Sequence, residues 1–454
     1  MSGMTIRAEV PSLLRERVTL PGDPGWDAAR RSWNLAVDQN PAAVVEPATP
    51  EDVQAVIRFA AENALRVAPQ ATGHGSESLP PLDGALLLKT SAMRRVEVEP
   101  DAGIARVEAG ARAGEVAAAA GEHRLAPVLG LAPTVGVVGL ALGGGTGWLS
   151  RAHGLAANTV KAFEVVTARG ERLRADAHTE PALFWALRGG GGRFAVVTAV
   201  ELETHPVSDV SAGMLVWPAD KAAAVLEQFR RWTSDAPESL GTVFRYLDLP
   251  PIDAVPPPLR GRNVAVIAAY VGTEPDGRRL VEPMRALPGS VLDTFGPVRA
   301  AELVRVAGDP EEPLPARGDG FLVRELSDDL VSAVAELIAE NALSPLSVLE
   351  LRLLGGAMAR ASDGHGALAS LNGALSVFAS GPVFDPDAGA AIADRIEHLR
   401  ARLAPWIAPQ PLLNSSGDGI DPARAFDDAT WERLRQVQDA FDPDRLILSN
   451  HPDV

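Results

Sequence analysis

Apolar residues recur at helical spacing after Thr49: Val53, Val56, Ile57, Ala60 and Ala64 fall on one face of a predicted helix. Thr49 suits its N-cap, Pro50 its first position, and Glu51 and Asp52 lie over the positive end of its dipole. Residues 66–70 then read as a short strand. A βαβ-like course thus delivers the chain into the loop Ala71-Thr72-Gly73-His74-Gly75-Ser76-Glu77-Ser78. Beyond it, 84–90 is apolar and strand-like, and the short alternating runs 95–98 and 104–107 flank Asp101-Ala102-Gly103, a hairpin signal. Another strand pair is expected within 160–173, around Ala168-Arg169-Gly170. Thr179-Glu180-Pro181 opens a short helix through Phe184, Trp185 and Leu187, and an apolar strand spans 194–202.

The pattern changes after His205-Pro206. Strands such as 264–270 and 348–354 alternate with amphipathic helices such as 328–341, and Pro-rich loops interrupt them at 250–258 and 309–315. A last helix around Trp431, Leu434, Val437 and Phe441 reads as a return to the first region. The expected class is α+β, with a lead-in over 1–36, a first domain over 37–207, a second, substrate-facing domain over 208–405, and a returning C-terminal segment over 406–454.

Composition narrows the function. The 454 residues are 46% apolar, enough to fill substantial cores. Lys and Arg number 42 against 59 Asp and Glu, a formal charge of -17 that repels phosphate backbones and anionic membranes. Neither nucleic acid nor membrane is an expected partner. With no cysteine there are no disulfides and no thiolate metal sites, and no metal centre is predicted. No apolar run approaches the roughly 18 residues of a membrane span. The first 21 residues lack the apolar core of a secretory signal, so a cytoplasmic enzyme is the expectation.

The candidate chemistry lies in glycine-rich loops. One holds His74; a second reads Pro133-Thr134-Val135-Gly136-Val137-Val138-Gly139, followed by Gly143-Gly144-Gly145-Thr146-Gly147; a third is Gly189 to Gly192. Backbone N–H groups freed by glycine form nests that suit a diphosphate without any cationic side chain. The alternative is tight turns between packed strands. A strand-Gly-x-Gly-x-x-Gly-helix with its following acid is missing, so a Rossmann site is not the reading.

Taken with Gly154-Leu155-Ala156-Ala157-Asn158, with Phe184-Trp185-Ala186-Leu187-Arg188 before the third loop, and with Asn450-His451-Pro452, these segments make the chain resemble the berberine-bridge-enzyme-like branch of the vanillyl-alcohol-oxidase flavoproteins. The match spans about 25–207 and 410–454; the middle follows the family more loosely. The resemblance implies a two-subdomain PCMH-type FAD-binding domain and a substrate domain of antiparallel sheet covered by helices. It implies FAD held by Gly73, His74, Gly75, Ser76, Thr134, Val135, Gly136, Gly139, Gly143, Gly144, Gly145, Asn158, Val197, Asn450 and His451. It further implies that His74 carries the flavin on its 8α-methyl group. The other reading of His74 is an ordinary loop histidine bonded to its own turn. Many relatives have a second, cysteine tether before Pro-Thr-Val-Gly; Ala132 stands there, so a flavin linked through His74 only is expected. Val135 takes the place of the family's oxygen gate, or is simply core packing.

Two departures affect the chemistry. The family's Tyr-x-Asn-Tyr, whose last tyrosine takes the substrate proton, is Leu412-Leu413-Asn414-Ser415 here. Its Gly-Asn-Phe-Gly is Gly192-Arg193-Phe194-Ala195, leaving Arg193 to serve a phosphate or face solvent. Strict alternation over 348–354 places Glu350 and Arg352 on one strand face. Glu350 is the candidate base if burial raises its pKa, with Arg352 orienting an anionic or carbonyl substrate; the alternative is a structural pair on a solvated face. His365, in a glycine-flanked loop, is a looser candidate, and His451 reads as packing near the flavin. The expected function is FAD-dependent oxidation of a small organic molecule, a secondary metabolite among the options, with molecular oxygen as electron acceptor. Alternatives are a flavin-dependent oxygenase or rearrangement enzyme, and a flavin-binding accessory protein without catalysis.

Overall fold

Thr49 caps the helix Pro50–Glu62 by accepting from the Asp52 N–H at 3.1 Å, and Val53, Val56, Ile57 and Ala60 turn its apolar face inward. The computed structural model describes Ile6 and residues 10–207, 209–417 and 419–451. The helix packs beside a four-stranded sheet of β1 (Val18–Thr19), β2 (Ala43–Val45), β3 (Arg66–Gln70) and β4 (Ala85–Lys89), in the order β1-β2-β4-β3. β2, β4 and β3 run parallel and β1 is antiparallel. Full burial of β4 on both faces explains its unbroken apolar run.

A second, antiparallel sheet carries β5 (Val96–Glu99), β6 (Ile104–Glu108), β7 (Leu125–Pro127), β8 (Val160–Val166), β9 (Arg172–Asp176) and β10 (Val196–Pro206). β10 pairs with β6 on one side and β8 on the other, and its far end pairs with β7. The hairpins at 101–103 and 168–170 form as the turn residues predict.

The third sheet is larger and antiparallel throughout: β11 (Val210–Pro218), β12 (Leu240–Leu249), β13 (Gly261–Val271), β14 (Leu292–Asp293), β15 (Gly296–Val298), β16 (Ala316–Val323), β17 (Val348–Leu353) and β18 (Leu375–Pro382), with the path β14-β11-β13-β12-β17-β18-β16. Its two faces have different partners. Phe244, Tyr246, Leu349 and Leu351 pack under the helices Ala222–Thr233, Asp328–Ala339 and Pro386–Leu403. Val243 and Leu247 of β12 point the other way, into a core shared with Val128, Leu131, Trp148 and Leu149 of the first region. The tail returns as its pattern implies: Leu448 donates to the Val67 carbonyl at 2.8 Å, and Val67 donates to Leu446 at 2.8 Å. The fold is α+β, with a first region of two sheets and a helix-covered antiparallel sheet set against it.

Candidate active site

β3 ends where the His74 loop begins. Gly73 adopts φ +80 with the Ser32 side chain pressed against it, leaving no room for a Cβ, so the turn demands glycine. The His74 ring is then fixed on three sides. Nδ1 lies 2.8 Å from Thr72 Oγ1, Nε2 lies 3.2 Å from Thr134 Oγ1, and the Trp33 indole stacks on the ring at 4.4 Å between centroids. Burial, helped by the charge of Arg112, lowers the His74 pKa to about 4, so the imidazole is neutral at physiological pH. Asn450 clips the loop from the C-terminal tail by donating to the Gly75 carbonyl and, at 2.7 Å, to Ser78 Oγ. The backbone N–H of His451 donates to the Ser78 carbonyl at 2.9 Å, while its buried ring bonds the Leu413 carbonyl at 2.9 Å.

Across from His74, the segment 134–139 brings up backbone donors. Among the described residues, no partner engages the N–H groups of Gly73, His74, Gly75, Thr134, Gly136, Val138 or Gly139. A Cβ at Gly139 would meet nothing within 4 Å. Freed donors and open space beside His74 fit the diphosphate of FAD, which these residues would hold without a cation. Ser76 points inward, its hydroxyl donating to Ser32 Oγ at 3.0 Å, and its N–H donates to the Gly73 carbonyl at 3.2 Å, so both donors are spent within the chain.

The other glycine clusters do not supply the nests expected of them. Gly144 N–H donates to Ala141 at 3.1 Å and Gly145 N–H to Asn414 Oδ1 at 2.7 Å. Gly189, Gly190 and Gly191 donate to Leu187, Ala186 and Leu142. Side chains would be obstructed at these positions: by Asn414 at Gly143, by Leu368 at Gly144 and Gly189, and by Ala156 and Leu140 at Gly145. Asn158 is likewise spent within the chain: its Nδ2 donates to the Leu368 and Ala369 carbonyls and its Oδ1 accepts from Gly366 at 2.9 Å. Val197 is a buried core residue of β10. Arg193 is buried over the Trp431 ring and donates to the His451 carbonyl at 3.4 Å, so it does not face solvent. The loop holding His365 is tied down rather than loose, since Arg188 donates to the His365 carbonyl at 3.3 Å and Ala367 to Trp185 at 3.0 Å.

Glu350 and Arg352 share the face of β17 that looks toward the first region, but their setting differs from both expectations. Glu350 is only 3% exposed, so the face is not solvated. Arg245, directly opposite on β12, donates to Glu350 Oε2 at 2.6 Å; Arg352 Nη2 donates to Oε1 at 2.6 Å. Burial alone would raise the Glu350 pKa, but the two guanidiniums outweigh it and hold the carboxylate at about 2. The reading of Glu350 as a base with a raised pKa is therefore corrected: it stays ionised and weakly basic. Arg245 also bonds Asp309 Oδ1 at 2.9 Å, and Arg352 Nη1 reaches Thr146 Oγ1 at 3.0 Å, joining β17 to the second glycine loop. Tyr246 cannot replace the missing phenol, because it points to the helix-covered side and bonds Arg262 at 3.3 Å.

Sequence reading missed Trp33, Thr72 and Arg245. Trp33 stands alone among polar residues in Arg30-Arg31-Ser32-Trp33-Asn34, and Arg245 interrupts the apolar run of β12. Either oddity was available as a signal.

Among the described residues, no helix is long and apolar enough to cross a membrane, and no cluster of His, Asp and Glu could hold a metal ion. A family model described as FAD binding domain matches residues 41–176. An uncharacterized FAD-linked oxidoreductase of Bacillus subtilis, YgaK, is 27% identical over 356 residues, covering 76% of each chain. The (R)-6-hydroxynicotine oxidase of Paenarthrobacter nicotinovorans is 31% identical over 215 residues, 47% of each. The solved structure of Physcomitrella patens BBE-like 1 superposes with a TM-score of 0.85 at 21% identity, covering 98% of this chain and 97% of that one. The chain is an FAD-dependent oxidoreductase with an FAD binding domain over residues 41–176, and its fold is that of the berberine-bridge-enzyme-like structure.

Proposed function

We propose that this chain is an oxidase with FAD attached through His74 alone, which oxidises a small organic molecule and passes the electrons to oxygen. The observation that carries the reading is the His74 ring: buried, neutral, oriented by Thr72, Thr134 and Trp33, and set beside an open cradle of free backbone donors. A neutral imidazole keeps an unshared pair on one ring nitrogen, which is the form that attacks carbon. Ala132 leaves no thiol for a second attachment.

When bound, FAD supplies a two-electron acceptor that oxygen can reoxidise. The residues of the cleft position the substrate. Arg352, held by Glu350 and Thr146, offers a guanidinium that binds and orients an anionic or carbonyl group of the substrate. Glu350, with a pKa near 2, orients Arg352 rather than taking a substrate proton. Val135, half-buried beside Thr134, is assigned the oxygen-gate role on the family resemblance alone.

Turnover under isotopically labelled oxygen gas tests the assignment. An oxidase places the label in hydrogen peroxide; label in the organic product would replace the reading with an oxygenase.

A further inference from the structure

Beside Arg352 the two regions enclose a narrow cavity with Thr146, Arg151, Thr242 and Arg352 in its wall and Trp148 against it. No carboxylate lines it. The charges behind the wall balance in pairs: Glu350 and Asp309 match Arg245 and Arg352. Arg151 has no such match. It is 7% exposed, and among the described residues its guanidinium donates only to the carbonyls of Leu354 and Ala236, the latter at 3.1 Å. The acid whose charge bears on it, Glu238, is engaged by Arg360 through two bonds of 2.6 and 2.9 Å. Two buried donors, Arg151 Nε and Trp148 Nε1, have no partner among the described residues. A buried unmet donor costs about 1–3 kcal/mol, and a buried cation beside neutral carbonyls favours any anion that reaches it.

We propose that this cavity receives a carboxylate carried by the substrate, with Arg352 as its gatepost and Arg151 supplying the uncompensated charge. The inference rests on the oxidase reading and narrows it to acidic substrates. Thr146 adds a hydroxyl donor, and the cavity, about 10 Å³, admits one carboxylate oxygen while the organic remainder lies outside it. Arg352 is the only one of the pair with appreciable exposure, its side chain 21% accessible, which suits a group that meets the substrate first.

Isothermal titration of the purified yellow protein with benzoate and with its neutral isostere benzamide tests this directly. Benzoate should bind at least about tenfold more tightly. In Arg151→Met that preference should vanish, and Arg151→Lys should restore part of it. Thr146→Val, which keeps every charge, should weaken benzoate by about threefold and so serves if Arg151→Met does not fold. A yellow protein that binds both probes equally overturns anion recognition and leaves the oxidase reading standing. A colourless protein overturns the oxidase reading and this inference with it.

Discussion

His74 is the residue on which the account turns, and the loop that holds it was legible for a local reason. A histidine between glycines, at the end of a strand, has few side chains to hide behind. Its neutrality was not legible, because that comes from burial under Trp33, a residue 41 positions earlier in the sequence, and from Arg112. A testable consequence follows for attachment of FAD to the apoprotein. Only the neutral imidazole reacts, and with a pKa near 4 it stays neutral well below the ordinary histidine value of 6.5. The rate at which acid-stable yellow colour forms should therefore be flat from pH 8 to about 5; a midpoint near 6.5 would contradict the buried geometry. Glu350 illustrates the opposite case. Its partner Arg245 lies 105 residues away, so the sequence could not reveal that two arginines would keep it ionised. Its folded pKa is depressed, so its contribution to stability is full above the ordinary carboxylate value of 4.5 and is lost as pH falls toward about 2. Glu350→Gln, which strands Arg245 in the interior, should destabilise the protein by about 3 kcal/mol at neutral pH. Thermal midpoints of the two proteins should converge as the pH is lowered through that window.

At the scale of elements, periodicity carried much of the local structure. The helix Pro50–Glu62, both hairpins of the second sheet and β17 lie where spacing and turn residues put them. Alternation also placed Glu350 and Arg352 on one face. What alternation cannot supply is which strand lies opposite; register with β12 decided their chemistry. The glycine loops show the same limit. Glycine marks close approach, but the sequence does not say whether the approaching group is a ligand or the chain itself. Structure divides them: Gly139 faces open space, whereas Gly189, at φ +88, abuts Leu368. Gly139→Ala should leave folding unharmed, or gain up to about 1 kcal/mol from helix propensity, while FAD is retained less well on dilution. Gly189→Ala should cost more than about 2 kcal/mol, read by denaturant midpoint, because both its backbone and its neighbour must move. Equal stability losses would undo the distinction between ligand-facing and chain-facing glycines.

For the molecule as a whole, the α+β class and the FAD-binding character were readable because several short segments occur in one order along the chain. The third sheet's seven-strand path was not, since its pairings join segments far apart and its Pro-rich loops hide the connections. The arrangement that results sets one face of that sheet against the first region, and the last residues return to clip the His74 loop through Asn450. The charged pair on β17 and the donor-lined cavity thus belong to one interface between the two regions, joined to the second glycine loop through Thr146. The claim beneath all of it is that His74 alone carries the flavin. Intact-mass measurement of acid-precipitated protein tests it most directly: the wild-type chain should be heavier by one FAD and its pellet yellow, and His74→Ala should have the bare chain mass and a colourless pellet. A wild-type chain at its bare mass, or a His74→Ala chain that still carries the added mass, would contradict it.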